Sequence, residues 1–196
     1  MVELKDHGIV LTSTTSKGVE IKLRPMTEED WPVLEKWNTD PEVLYFSEGD
    51  AVTSYSPEMV RRIYRGVCAN AFCFIIEVDD KPVGECWLQR LNLDWILKKH
   101  PSKDCRRIDL MLGEKDYWGK GIGTTVIELL TEFGFKDQKA DLIFGCSIWD
   151  YNPGSQRTME KAGYELYHKR KMEPGSKGEY EITMYISREK YLEQRK

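Results

Sequence analysis

Gly119, Gly121 and Gly123 sit within the run Tyr117-Trp-Gly-Lys-Gly-Ile-Gly-Thr124, and their type and spacing imply chemistry more directly than any other residues of this chain. Glycine lets backbone N–H groups approach an anion without interference from a Cβ, and it supplies positive φ where a loop needs it. Apolar residues at Ile122, Val126, Leu129, Leu130 and Phe133 recur three and four apart, which predicts an amphipathic helix opening on that loop and continuing from Thr125 to Phe135. The start of a helix offers unpaired N–H groups at the positive end of its dipole, so a phosphate-bearing ligand is expected there. Just upstream, Arg107-Ile-Asp-Leu-Met-Leu-Gly113 reads as a buried strand carrying the carboxylate Asp109.

Two known phosphate loops do not fit. A P-loop needs a glycine five residues before the one that precedes its lysine, then Ser or Thr after the lysine; here Glu114 and Gly121 stand at those places. A dinucleotide fingerprint needs a third glycine where Thr124 stands, and it follows its strand directly, whereas five residues separate Gly113 from Gly119. A shorter pattern remains, x-x-Gly-x-Gly/Ala after a β-strand.

Composition narrows the class. A chain of 196 residues with 40% apolar and 32% charged residues is expected to fold as one globular domain with a sizeable core. A net charge of −4 gives no general attraction to nucleic acid and suits a cationic partner. Five cysteines, Cys68, Cys73, Cys86, Cys105 and Cys146, are an odd number without a Cys-x-x-Cys, so buried free thiols are expected rather than disulfides or zinc. His7, His100 and His168 lack metal-ligand spacing and read as surface residues; no metal is expected. Without a secretory leader pattern or an apolar run of membrane-spanning length, the expectation is a soluble cytoplasmic protein that engages no membrane.

Around the motif, residues 1–18 form an N-terminal arm, either loose or an added strand. Val19 to Leu23 alternates as a first strand, and Thr27 with Asp30 forms a box-like start for a helix through Trp37. Ser56-Pro57 opens a second helix to about Ala69. Phe72 to Val78 and Pro82 to Arg90 read as a hairpin about Asp79-Asp80-Lys81, and residues 91–104 as a longer connection. After the motif come a strand from Asp141 to Ile148, a helix from Pro153 to Ala162 ended by Gly163, and strands at Tyr164 to Met172 and Tyr180 to Ile186. The resulting order, β-α-α-β-β-β-α-β-α-β-β, is α/β (α+β), a mixed central sheet flanked by helices.

The glycine loop after its strand, together with that element order, resembles the GCN5-related N-acetyltransferase (GNAT) superfamily across about residues 19–187, with residues 188–196 left as a C-terminal tail. Ile108 to Thr124 is most similar to aminoglycoside 6′-N-acetyltransferases, which place an Asp where Asp109 stands. Leu23 to Asp30 and Trp37 to Val43 resemble the opening of ribosomal-protein-type and aminoglycoside-type members, and Asn152 to Gly163 resembles the ribosomal-protein type.

The resemblance implies the GNAT acyl-CoA N-acyltransferase fold with acetyl-CoA as co-substrate. Leu110, Met111 and Leu112 would offer backbone groups to the pantetheine arm. Trp118, Gly119, Lys120, Gly121, Ile122, Gly123 and Thr124 would cradle the diphosphate. Asn152 would touch the cofactor arm or cap a helix before Pro153, and Arg157 would reach a phosphate or stay solvated. A backbone N–H of the strand would polarise the acetyl carbonyl. Asp109 is the candidate general base, because an alkylammonium with a pKa around 10 must lose a proton before attack. Arg107, two residues away on the same strand face, equally allows a structural salt bridge, and Asp109 could instead bind the substrate ammonium. Two positions depart from the family: Trp118 stands where Arg or Gln is common, and Met159 where a Tyr often protonates the leaving thiolate. Tyr151 is the substitute acid considered.

On the acceptor side, Trp37, Glu48, Glu85 and Asp94 are candidate substrate contacts, with Glu42, Asp50, Tyr45, Phe46, Trp87 and Trp95 nearby in sequence. Acids among aromatics suit a small cationic amine such as an aminoglycoside or polyamine. The implied reaction is direct acetyl transfer to a primary amine in a ternary complex, by a monomer or homodimer that binds no nucleic acid. Two alternatives stay open: a ribosomal-protein-type N-terminal acetyltransferase, and an acyl-CoA-binding module without turnover.

Overall fold

The computed structural model describes residue 4, residues 6–48 and residues 52–195. One eight-stranded sheet organises the chain. Its strands are β1 (Leu11–Thr14), β2 (Glu20–Pro25), β3 (Ala71–Val78), β4 (Lys81–Arg90), β5 (Cys105–Met111), β6 (Leu142–Trp149), β7 (Glu165–Lys171) and β8 (Tyr180–Ser187). Their spatial order is β1-β2-β3-β4-β5-β6-β8-β7, and β5–β6 is the parallel pair among otherwise antiparallel neighbours. The expected mixed sheet is formed, and the added-strand alternative for the arm is the one realised, with Leu11 opposite Leu23.

The hairpin between β3 and β4 turns on Asp79 and Asp80, both at positive φ (51° and 56°). Two consecutive residues there make the tight turn whose twist matches paired strands, and Asp tolerates that region better than most residues. β3 is buried along most of its length, as a strand covered on both faces must be.

One face of the sheet carries α5 (Ile122–Lys136), α6 (Pro153–Lys161) and α7 (Arg188–Glu193). Ile122, Val126, Leu130 and Phe133 of α5 are buried there with Phe74, Leu88 and Ile143, each fully buried side chain worth roughly 1.5–3 kcal/mol. Gly134 sets how closely α5 lies on β6, since a Cβ there would stand 2.6 Å from Ile143 Cδ1. The other face carries α1 (Trp31–Trp37), α2 (Pro41–Ser47) and α3 (Pro57–Cys68), with α4 (Asp94–Leu97) farther along.

Three helices, not two, therefore separate β2 from β3. The additional one, α2, starts where Asp40 caps Glu42 N and Val43 N and Pro41 takes the first helical position. The expected helix start at Thr27 is present: the Thr27 N–H donates to Asp30 Oδ2 at 2.8 Å and a short 3-10 turn leads into α1. The C-terminal segment, expected as an exposed helical end, forms the helix α7 but is anchored rather than exposed at Tyr191, which is only 4% exposed and packs on Phe135. All five cysteines are free and buried. His7 is not a surface residue, for it is half-buried between Phe72 and Phe74. Among the described residues no helix is long and apolar enough to cross a membrane, and no group of His, Cys, Asp or Glu could hold a metal.

Candidate active site

The parallel ladder between β5 and β6 runs from Cys105–Leu142 to Ile108–Gly145 and ends there. β6 then carries a bulge with Ser147 at φ 54°, which shifts its register against β8 between Gly145 and Ile148. A bulge bends its strand, so β6 leaves β5 and a wedge opens beside Asp109, Leu110 and Met111. These three residues keep their pairing with β4, opposite Trp87, Cys86 and Glu85. Their backbone on the β6 side has no strand partner, which suits an extended chain lying in the wedge like a further strand.

The loop between β5 and α5 turns with Gly119 at φ 71° and Gly121 at φ 86°, and Gly121 is the N-cap of α5. Both angles favour glycine, and they let the first N–H groups of α5 point outward without side chains in front of them. No Cβ contact would arise at Gly119, so the loop lies open to its surroundings. Thr124 is half-buried in the first turn of α5, while Ile122 is buried and contributes only backbone. Lys120 lies over the Tyr117 ring at 4.8 Å. A second cation, Lys17, reaches in from the β1–β2 turn and donates to the Gly119 carbonyl at 2.7 Å. Sequence reasoning missed it, because nothing in a polar arm marks one lysine as returning to a loop 102 residues away.

Trp118 does not point into this mouth. Its indole N–H donates to the Leu112 carbonyl at 2.9 Å and its ring packs edge-on against Phe46. The Leu112 carbonyl, expected to be open to a ligand, is thereby already engaged. Asn152 caps α6, accepting from the Ser155 N–H at 3.1 Å, while its amide donates to the Phe46 carbonyl. Arg157 is exposed on α6. Met159 is buried over Gly145, where a Cβ would stand 2.4 Å from the Met159 Cε. A thioether fills the space a tyrosine would need.

Asp109 stands where the ladder ends, 19% exposed, with both oxygens engaged: Arg107 Nη2 donates to Oδ1 at 2.5 Å and Trp87 Nε1 to Oδ2 at 3.0 Å. The salt bridge allowed by the i,i+2 spacing is thus formed. A carboxylate offers about four lone-pair directions, so two donors fix its orientation and leave acceptor capacity. A cavity of about 350 Å³ is lined by Leu93, Trp95, Cys146, His168, Arg170 and Glu181, among others; Asp109 is not in its wall, but the Cys146 thiol there feels the Asp109 charge. Arg170 pairs with Glu181 through Nε at 2.8 Å. His168, Arg170 and Glu181 were not expected; they come from β7 and β8, whose alternation is visible in sequence but whose neighbours are not.

The expected acceptor contacts separate. Asp94 is exposed at the start of α4, next to two residues that line the cavity. Trp37 is 0% exposed, packs on Gly113 and donates to Glu114 Oε1 at 2.8 Å, so it positions the β5–α5 loop and cannot present a face to an acceptor. Glu85 is 3% exposed, beneath the site rather than in it. Burial, with Asp109 nearby, pushes its carboxyl well above the usual carboxylate range. Tyr64 donates to it at 3.3 Å. Tyr151 is also placed differently from the expectation: its hydroxyl donates to the Glu48 carbonyl at 2.7 Å. Glu42 pairs with Lys115, and Asp50 lies outside the described residues.

A sheet split at its parallel pair, next to a glycine-capped helix start and with a fixed carboxylate at the fork, is a frame for holding an extended phosphate-bearing acyl donor. The chain matches the family model described as an acetyltransferase (GNAT) domain over residues 20–165 and belongs to that family. It is an acetyltransferase. An aminoglycoside N(6′)-acetyltransferase type 1 from Klebsiella pneumoniae is 24% identical over 158 residues, covering 77% of each chain. The structure of AAC(6′)-Ib in complex with ribostamycin and coenzyme A superposes with a TM-score of 0.75 at 23% identity, covering 90% of this chain and 98% of that one. Spermidine N-acetyltransferase from Vibrio cholerae, in complex with CoA and spermine, gives 0.70 at 18% identity, covering 88% and 98%.

Proposed function

We propose that this protein transfers an acetyl group from acetyl-CoA to a primary amine of a small cationic acceptor, of the aminoglycoside or polyamine kind, by direct transfer in a ternary complex. The observation that carries this reading is the position of Asp109, a partly exposed carboxylate at the point where β5 and β6 separate. The thioester supplies an activated acetyl group with a thiolate as leaving group. The remaining tasks fall to the protein.

The N–H groups at the start of α5 and the Gly119–Gly121 turn bind the diphosphate, with Lys17 and Lys120 adding positive charge. The unpaired edge of residues 109–111 aligns the pantetheine arm. Asn152 changes partner from the Phe46 carbonyl to that arm, and Arg157 approaches a phosphate from α6. Asp109, oriented by Arg107 and Trp87, accepts the ammonium proton directly or through one water. The cavity bounded by Trp95 and Glu181, with Asp94 at its rim, receives the rest of the acceptor, its acids and aromatics favouring a cation.

Thiol release from acetyl-CoA with kanamycin, spermidine and an N-terminal peptide tests the reading. Turnover with kanamycin or spermidine supports it. Turnover confined to the peptide would replace the acceptor class, and acetyl-CoA binding without release on any amine would make the chain a binding module.

A further inference from the structure

The last carbonyls of a helix lack partners within it, and those of α2 are met by side chains from the far side of the cleft. Lys177, in the connection between β7 and β8, donates through Nζ to the Tyr45 carbonyl and, at 3.2 Å, to the Glu48 carbonyl. The same ammonium lies 3.9 Å from the centre of the Tyr45 ring and 4.2 Å from that of Tyr151. Tyr151 is backed by Trp149, stacked at 6.0 Å with 6° between the planes. Two aromatic faces and two carbonyl oxygens around one nitrogen make a chemically complete site for a primary ammonium.

We propose that this cage is an ammonium-binding site of the acceptor side, occupied in the free protein by the chain's own Lys177, which an acceptor ammonium displaces. The proposal rests on the acetyltransfer reading for its role, though not for the existence of the site.

The place of the cage in the fold supports that role. β6 ends at Trp149, and Tyr151 and Asn152 follow directly at the mouth of the β5–β6 wedge. Asn152 and Tyr151 hold the same α2 carbonyl end from the wedge side, through the Phe46 and Glu48 oxygens. A cation bound there therefore lies over the region where the acyl group must arrive. The occupant is also replaceable. Tyr45 is 48% exposed, and residues 173–176 leading to Lys177 are exposed, so withdrawing the lysine disturbs no core. Gly178 permits the close seating of this segment, since a Cβ there would stand 3.0 Å from the Tyr151 ring.

The test uses n-butylammonium, which matches the end of a lysine side chain, as the ligand, and spermidine, which keeps a further nitrogen free for transfer, as the acceptor. Lys177→Ala empties the cage, and Lys177→Met fills it with an uncharged chain. Expected first is a rise in the melting midpoint of Lys177→Ala on adding n-butylammonium chloride, measured against equal sodium chloride, with wild type and Lys177→Met unmoved. Expected second is a KM for spermidine in acetyl transfer at least about tenfold lower for Lys177→Ala than for wild type. Equal midpoint responses in the three proteins, or an unchanged KM, would overturn the proposal. Protection of Lys177→Ala with no transfer to spermidine or kanamycin by any protein would sink the acetyltransfer reading and leave the ammonium site standing.

Discussion

Replacing Asp109 by Asn separates catalysis from structure, because the structure lets both costs be worked out. Asn keeps one oxygen acceptor, so either Trp87 Nε1 or Arg107 Nη2 retains a partner, but the charge opposite Arg107 is lost. With side chains 20% and 19% exposed, that pair is neither deeply buried nor fully screened. Losing a hydrogen bond to a charged group costs about 1.5–3 kcal/mol. A domain of ordinary stability, 5–15 kcal/mol by order of magnitude, stays folded after such a loss. If the carboxylate takes the ammonium proton, kcat/KM for the amine falls by about 10²–10⁴, or roughly 2.7–5.4 kcal/mol of transition-state stabilisation. The assay is thiol release with varied amine at saturating acetyl-CoA, alongside titration of acetyl-CoA into each protein and urea unfolding of each. The expected pattern is a large kinetic loss, a small stability loss and unchanged acetyl-CoA affinity. A kcat/KM within about threefold of wild type would refute the role of Asp109. A parallel fall in acetyl-CoA affinity would refute its separation from the donor site.

Two other substitutions probe what lies under the site. Burial, with Asp109 nearby, raises the Glu85 carboxyl in the folded chain above its unfolded value, so the native state keeps that proton to higher pH and loses stability as pH rises above the ordinary carboxylate range. Glu85→Gln removes that dependence, so its melting midpoint should gain on wild type as pH rises above about 5; a constant difference would show that the Glu85 carboxyl is not raised in the native state. Gly113→Ala would place a Cβ 2.0 Å from Trp37 Cγ, and should destabilise by roughly 1–3 kcal/mol in urea unfolding as the ring is forced off Glu114; wild-type stability would show that Trp37 does not set the loop.

The sequence made the loop and α5 legible because their signals are local: glycine spacing, apolar residues three and four apart, and a strand just before. The hairpin at Asp79-Asp80 and the stop at Gly163, with φ 87°, were legible for the same reason. α2 was overlooked although Asp40-Pro41 is a good start signal, since its seven residues show little periodicity. The far side of the site was hidden, because what matters there is which strand lies beside which. β8 inserts between β6 and β7, and only that order brings Arg170 and Glu181 toward the Asp109 cleft. Residue type also misled in two cases. Trp37 and Glu85 looked like acceptor contacts because aromatics and acids suit cations, yet one is core and the other is buried with its carboxyl pushed up in pKa.

The central claim is that the turn at Gly119 and Gly121, with the N–H groups opening α5, grips the diphosphate of acetyl-CoA. Calorimetric titration with acetyl-CoA and with acetyl-pantetheine, which keeps the thioester but lacks the diphosphate, measures this directly. Two charge-assisted hydrogen bonds at about 1.5 kcal/mol each predict acetyl-CoA to bind about 100-fold more tightly, with most of that gap lost in Gly121→Asp. Equal affinities for the two ligands, or a gap that survives Gly121→Asp, would contradict the account.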